Sequence, residues 1–333
     1  MDWRQYRDQR GILLMPGINS IWRGRCDDDG AGSYRWHQRV VEIDDVLSTE
    51  SFDGAPVLLG FACDEGVRRN RGRVGAYEGP REIRRALANL TCVKDFRCYD
   101  MGDNRCHQRN LEESQNLLAK KVCSVLTHQG FPILLGGGHE IAWASFLGAQ
   151  QYLLAKQKRQ KLGIINFDAH FDLRPASPPS SGSPFRQCHE FCTQVGSPFN
   201  YFVLGINPSA NSQALFDYAC AYGVHWVLDL NVQAQNIKGI SYQLEEFIHG
   251  LDYLYLTICL DAFSACFAPG VSAPAAVGIH PGTALQLIAC IKKICGENNV
   301  ELLLCDVAEM NPRYDRGQQT AILASRLIFE LAA

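Results

Sequence analysis

Asp168, His170 and Asp172 fall within five residues, where the apolar run LGIINFD (162–168) passes into DAHFD. Side chains alternate along a strand, so Asp168 and His170 leave its end on one side, and Asp172 rejoins them once the chain turns. Two carboxylates and an imidazole make a hard-to-borderline metal site, suited to Mn, Fe, Co or Zn. A second run, PILLGG (132–137), leads through GGGHE to His139. Its glycines let the backbone bend sharply and approach a ligand. Taken alone, His139 could equally open the helix HEIAWASF. A third run, YLYLTICL (253–260), brings Cys259 and Asp261 to alternate positions at its end. Three strand ends thus direct six side chains to one place. Six ligands exceed one tetrahedral ion and suit two ions sharing carboxylates, which acidify a bridging water to hydroxide near neutral pH. Cys259 leaves a choice open. Its single soft sulfur must lose a proton to bind and favours Zn or Fe over Mn, so it is either a bound thiolate or a neutral thiol beside the ions.

These positions need a scaffold that brings strand ends together. Further strand candidates are PVLLGFAC (56–63), YFVLGI (201–206), VHWVLDL (224–230) and VELLLCDV (300–307). Helical patterns lie between them: GPREIRRALANL, LEESQNLLAKKVCSVLTHQG, EIAWASFLGAQQYLLAKQ, NSQALFDYACAYG, SYQLEEFIHGL, GTALQLIACIKKICGENN and GQQTAILASRLIFEL. Strands that are apolar throughout are buried on both faces, and intervening helices make right-handed crossovers. The expected fold is α/β, a parallel sheet covered by helices on both sides, with ligands bound beyond the carboxyl ends of the strands. The segment RPASPPSSGSP (174–184) follows such an end and reads as an active-site loop. One domain spanning 1–333 is expected, with residues 1–50 as an N-terminal extension packing on or over it.

Bulk properties exclude other classes. The 333 residues carry a net charge of −3 and no basic run, so no nucleic-acid partner is expected. No apolar stretch approaches the roughly 18 residues of a membrane span. The N-terminus has charges where a signal peptide needs an apolar core, and a cytoplasmic location is expected. Most of the 14 cysteines lie in apolar segments and read as reduced, buried thiols.

GGGHE, DAHFD, and a strand-end pair followed by APGVSAPAA resemble, in that order, the ureohydrolases, the arginase and agmatinase family of binuclear manganese enzymes. The resemblance spans roughly residues 55 to 330. It implies a three-layer α/β/α fold around a mostly parallel sheet of about eight strands, a homo-oligomer, and two Mn²⁺ ions per subunit. His139, Asp168 and Asp172 would hold one ion, and Asp168, His170 and Asp261 the other. Cys259 stands where most members have an aspartate bridging both ions. Glu309, in CDVAEMNPRYD, matches the acid that steadies the cationic substrate group, and Asp306 could orient it. The implied reaction is hydroxide attack on an amidine or guanidine carbon, with Asp168 and Glu309 as catalytic groups.

Within the family, DEGVRRNRGRVGAYEGP (64–80), GGGHE in place of GGDHS, and SGSPFRQ (181–187) in place of a histidine-bearing segment resemble members that hydrolyse N-formimidoyl-L-glutamate to L-glutamate and formamide in histidine degradation. Ser181 would then stand at the proton-shuttle position, with His189 a few residues on. That substrate has two carboxylates, which call for arginine. The candidates are Arg69, Asn70, Arg73, Ser181 and Arg186, with Arg68 beside them. Two other readings stay open: hydrolysis of agmatine or a guanidino acid, and a metal-impaired, non-catalytic ligand-binding member because of Cys259.

Overall fold

The protein is described from a computed structural model covering residues 21–27, 33–44, 51–92, 96–156 and 160–333. The described strands are β1 (Val40–Glu42), β2 (Pro56–Ala62), β3 (Cys98–Arg105), β4 (Phe131–Gly136), β5 (Leu162–Phe167), β6 (Asn200–Ile206), β7 (His225–Leu228), β8 (Tyr253–Cys259) and β9 (Glu301–Ala308). Every residue of β2, β5 and β8 is buried, as their unbroken apolar sequences require. All pair in parallel, in the order β1-β3-β2-β4-β9-β8-β5-β6-β7.

The described helices are α1 (Glu65–Arg69), α2 (Gly79–Leu87), α3 (Leu111–Thr127), α4 (Ile141–Ala155), α5 (Pro184–Val195), α6 (Gln213–Ala221), α7 (Ile237–Ile248), α8 (Pro281–Asn298) and α9 (Gln319–Ala332). One apolar cluster joins a sheet face to α2, α7, α8 and α9, and a second joins the other face to α3, α4, α5 and α6. The three-layer architecture expected from the sequence is present, with nine described strands, in keeping with the expected sheet of about eight.

The chain leaves β4 at one place and resumes at β5 three positions along, and later fills the gap with β8 and β9. The four central strands are therefore β4, β9, β8 and β5, and the carboxyl ends of all four meet. Crossover rules favour a ligand site at such a break in strand order.

β1 and β3 are strands the sequence did not announce, and β3 is the polar one. Its Asp100 and Asp103 bind the buried Arg84 of α2. Arg84 Nε and one Nη each donate to Asp100 at 2.8 Å, and the other Nη donates to Asp103. Trp22 Nε1 adds a bond to Asp100 at 2.7 Å. Trp22 and Trp36 are each 1% exposed, and β1 pairs with the outer side of β3. The described part of the N-terminal segment thus covers this edge of the sheet, while residues 1–20, 28–32 and 45–50 lie outside the described residues. No described helix is long and apolar enough to cross a membrane.

Candidate metal centre

Asp168 follows β5 directly, and its two oxygens face different imidazoles. Oδ2 lies 3.0 Å from His139 Nδ1, and Oδ1 lies 3.4 Å from His170 Nδ1. Asp172 Oδ2 is 2.9 Å from the same His139 nitrogen, and Asp261 Oδ2 is 3.3 Å from His170 Nδ1. The arrangement is two ligand sets sharing one carboxylate. His139, Asp168 and Cys259 place ligand atoms within 4.8 Å of one another, as do Asp168, His170 and Asp261. All six positions singled out in the sequence converge.

Local structure explains why. His139 comes off β4 through Gly137, whose missing Cβ would lie 2.2 Å from the Cys63 carbonyl oxygen. Only glycine permits that approach. Asp168 is held by Asn166 Nδ2, which donates to Oδ2 at 3.0 Å, and by the His170 N–H, which donates to Oδ1 at 2.8 Å. Asp172 and Glu309 both adopt left-handed backbone, with φ of 51° and 68°. Such conformations are costly for residues with a Cβ and cluster where side chains must be aimed.

A buried relay fixes His139 from behind. Its Nε2 lies 3.0 Å from Thr257 Oγ1, and Thr257 donates to Asp306 Oδ1 at 2.6 Å. Ser145 and Tyr255 donate to the other oxygen of Asp306. Because Thr257 gives its proton to Asp306, it accepts from His139. This leaves the hydrogen on Nε2 and the lone pair on Nδ1, facing the carboxylates. Thr257 and Asp306 are register partners on β8 and β9. The sequence pointed to Asp306 for orienting Glu309, but its oxygens hold Thr257, Ser145 and Tyr255, and the Glu309 carboxylate is held by the His139 N–H.

The donor set fits divalent cations. His139 Nδ1 sits 3.0 and 2.9 Å from two carboxylate oxygens, and no well-aligned hydrogen bond to it is found among the described residues. Ligand atoms about 2.1 Å from a shared ion, and at right angles to each other, stand about 3.0 Å apart. Charge agrees. Burial, then the charge of Asp168, pushes Asp172 up to about 6, and the same causes raise Asp261. Burial opposes a charge on His139 and His170, but the carboxylates beside them outweigh it and raise both. Burial also opposes the charge of Asp168, whose two neighbouring imidazoles outweigh it and lower its pKa. Cys259 is 1% exposed, and burial together with four surrounding carboxylates raises its thiol well above the usual value. The pocket gathers more buried negative charge than its two imidazoles balance, which is what bound cations would offset.

Glu309 leaves β9 on the same side. Its Oε1 accepts the His139 N–H at 2.9 Å, and its buried Oε2 has no hydrogen-bond partner among the described residues. Burial, then the charges of Asp261 and Glu140, pushes it up to about 8. The cavity above these groups holds about 300 Å³ and is also lined by Asn70, Arg71, Arg73, Arg174 and Ser181. A larger cavity of about 590 Å³, at the opposite ends of β2, β4 and β9, contains none of the metal-site side chains.

The arginines are distributed differently from the sequence expectation. Arg69 does not line the cavity. It donates to Glu112 Oε1 at 2.6 Å, to Glu65 at 3.0 Å and to the Pro179 carbonyl at 3.1 Å. Arg68 is paired with Glu65. Arg186 and His189 lie on α5: Arg186 donates to Glu190 at 2.8 Å and stacks on Tyr218, and His189 Nδ1 meets the Tyr218 hydroxyl. Arg73 lines the cavity, but its guanidinium donates to the Val271 and Ser272 carbonyls and stacks on Tyr314. Arg71 and Arg174 were not singled out in the sequence, and both line the cavity. No hydrogen-bond or ion-pair partner is found for either guanidinium among the described residues. Gly182 makes room here: a Cβ would stand 3.1 Å from both Arg174 Cδ and Asn70 Nδ2.

Residues 55–333 match the arginase family across motifs that supply these ligands. The chain belongs to the arginase family. It is 43% identical to a formimidoylglutamase of Photobacterium profundum, over 94% of each chain. The solved structure of Trypanosoma cruzi formiminoglutamase with Mn²⁺ superposes with a TM-score of 0.71 at 28% identity, covering 84% of this chain and 93% of that one. Formimidoylglutamase from Bacillus subtilis shares the fold, with a TM-score of 0.78 at 21% identity over 95% of each chain.

Proposed function

We propose that this arginase-family chain hydrolyses N-formimidoyl-L-glutamate to L-glutamate and formamide, with two Mn²⁺ ions held by His139, Asp168, Asp172, His170 and Asp261. The observation that carries the reading is the polarity of the cavity. An acidic floor of candidate metal ligands shares the cavity with Arg71 and Arg174; neither guanidinium, nor Glu309 Oε2, has a partner among the described residues. That arrangement suits a molecule with an amidine at one end and carboxylates at the other. The similarity to formimidoylglutamases, and to a formiminoglutamase solved with Mn²⁺, supports the same substrate and metal.

Each residue has a defined task. Arg71 and Arg174 bind the carboxylates, and Asn70 and Ser181 supply further hydrogen bonds. Glu309 Oε2 accepts an N–H of the amidinium, which presents the amidine carbon to the floor of the site. Held by these ligands, the ions would acidify a water to serve as the nucleophile. Asp168 keeps the two ligand sets in one geometry, and the Thr257–Asp306 relay keeps His139 in the tautomer that binds. Cys259 sits within the His139–Asp168 set as a neutral thiol in the metal-free protein. Asp168 already reaches both sets, one oxygen to each.

Product analysis tests the reading. The Mn²⁺-reconstituted protein is expected to release formamide from formimidoylglutamate and no urea from agmatine or arginine. Urea as the main product would replace this substrate with a guanidino compound.

A further inference from the structure

Glu140 is a buried acid that the reaction does not use. It is 1% exposed, and its Oε1 accepts the Gly66 N–H at 2.8 Å. Two glycines make its seat. A Cβ on Gly66 would lie 2.5 Å from the Glu140 carboxyl carbon, and one on Gly138 would lie 2.0 Å from Oε2. The backbone of Glu140 is fixed as well, because buried Gln115 on α3 donates to its carbonyl at 2.7 Å. Glu140 is therefore a rigid post, tied to the helix layer and reaching the loop after β2.

The contact continues to the cavity. The Gly66 carbonyl accepts the Asn70 N–H at 2.9 Å, closing the single turn of α1. Asn70 and Arg71 come next and line the cavity. Arg71 is held with φ of 61°, so its direction depends on how that turn is seated. Other tethers flank the stretch, Arg69 on Glu112 and Arg73 on the Val271 and Ser272 carbonyls. The Glu140 contact acts on the peptide that carries the turn itself.

We propose that Glu140 is a positioning residue which, through the Gly66 peptide, sets where Asn70 and Arg71 stand over the metal centre and so governs substrate affinity. The proposal rests on the function argued above. It assigns Glu140 to binding, because its carboxylate engages the loop while the metal ligands are held by other groups.

The test compares wild type with Glu140→Ala, Glu140→Gln and Gly66→Ala, each loaded with Mn²⁺. Loss of the hydrogen bond in Glu140→Ala is expected to raise KM for formimidoylglutamate about ten-fold or more, with bound metal unchanged and kcat little altered. Hydrogen exchange in residues 66–71 is expected to quicken. Glu140→Gln retains an acceptor for Gly66 and is expected to restore both readouts. The proposal is overturned if exchange and KM stay at wild-type values in Glu140→Ala, if metal is lost instead, or if glutamine is no better than alanine. Should Glu140→Ala not fold, Gly66→Ala perturbs the contact from the loop side, and an unchanged KM there overturns it equally. Absence of wild-type turnover with formimidoylglutamate would count against the functional reading alone, since the exchange measurement still decides whether Glu140 holds the loop.

Discussion

Asp168 presents Oδ2 to His139 and Oδ1 to His170, so one carboxylate joins two ligand sets. Asp172 and Asp261 each serve one set. Metal stoichiometry should separate these roles. Asp168→Ala is expected to lose both ions, whereas Asp172→Ala and Asp261→Ala each keep one. Metal analysis after dialysis against Mn²⁺ reads the difference, and an Asp168→Ala protein that retained two ions would remove the shared carboxylate from the centre.

The relay behind His139 makes a second prediction. Thr257→Val keeps the shape but removes the hydroxyl between His139 and Asp306. Loss of a partner behind a metal-binding histidine typically weakens metal affinity about 10–100-fold, and that is the expected change in a Mn²⁺ titration. Asp306 also loses one of three donors in a fully buried site, at a cost of about 1–3 kcal/mol of stability, measurable by denaturant unfolding of the metal-free protein. Thr257→Ser keeps a hydroxyl and is expected to retain most of both.

Substrate binding should divide the arginines. Arg71→Ala and Arg174→Ala are each expected to raise KM for formimidoylglutamate about 10–100-fold, the worth of a charge-assisted hydrogen bond, with full metal content. Arg186→Ala, on a helix surface and away from the cavity, is expected to leave KM near its wild-type value. Steady-state kinetics with metal analysis on the same samples checks this. Equal effects at Arg174 and Arg186 would contradict the placement.

Stability away from the site has its own test. Arg84 is 3% exposed and is the main partner of buried Asp100. Arg84→Ala leaves that carboxylate uncompensated, and breaking a buried pair in this way costs about 3–5 kcal/mol. Denaturant unfolding should show a loss of that size.

The sequence made the candidate metal ligands legible because strand alternation puts them on one side of strands whose apolar runs are unmistakable. It made the layers legible for the same reason. It hid β1 and β3; CYDMGDNR is polar, and Asp100 and Asp103 are accommodated in a strand by Arg84 arriving from α2, with Trp22 also bound to Asp100. It hid α5, which begins at Pro184, the last residue of a Pro/Ser-rich stretch that reads as loop. Arg71 and Arg174 looked no different from Arg69 and Arg186. What separates them is whether a distant acid or carbonyl has already taken the guanidinium, and that is decided by tertiary contacts. Thr257 was invisible because its role depends on the β8–β9 register.

The ion count and turnover of one reduced sample bear on the whole proposal. The protein, stripped with chelator and reconstituted with Mn²⁺, is expected to bind two ions per chain and to release formamide from formimidoylglutamate with Cys259 in place. Fewer than two ions, or two ions without formamide, while Cys259→Asp gains activity, would contradict a working hydrolase and mark Cys259 as the residue that disables it.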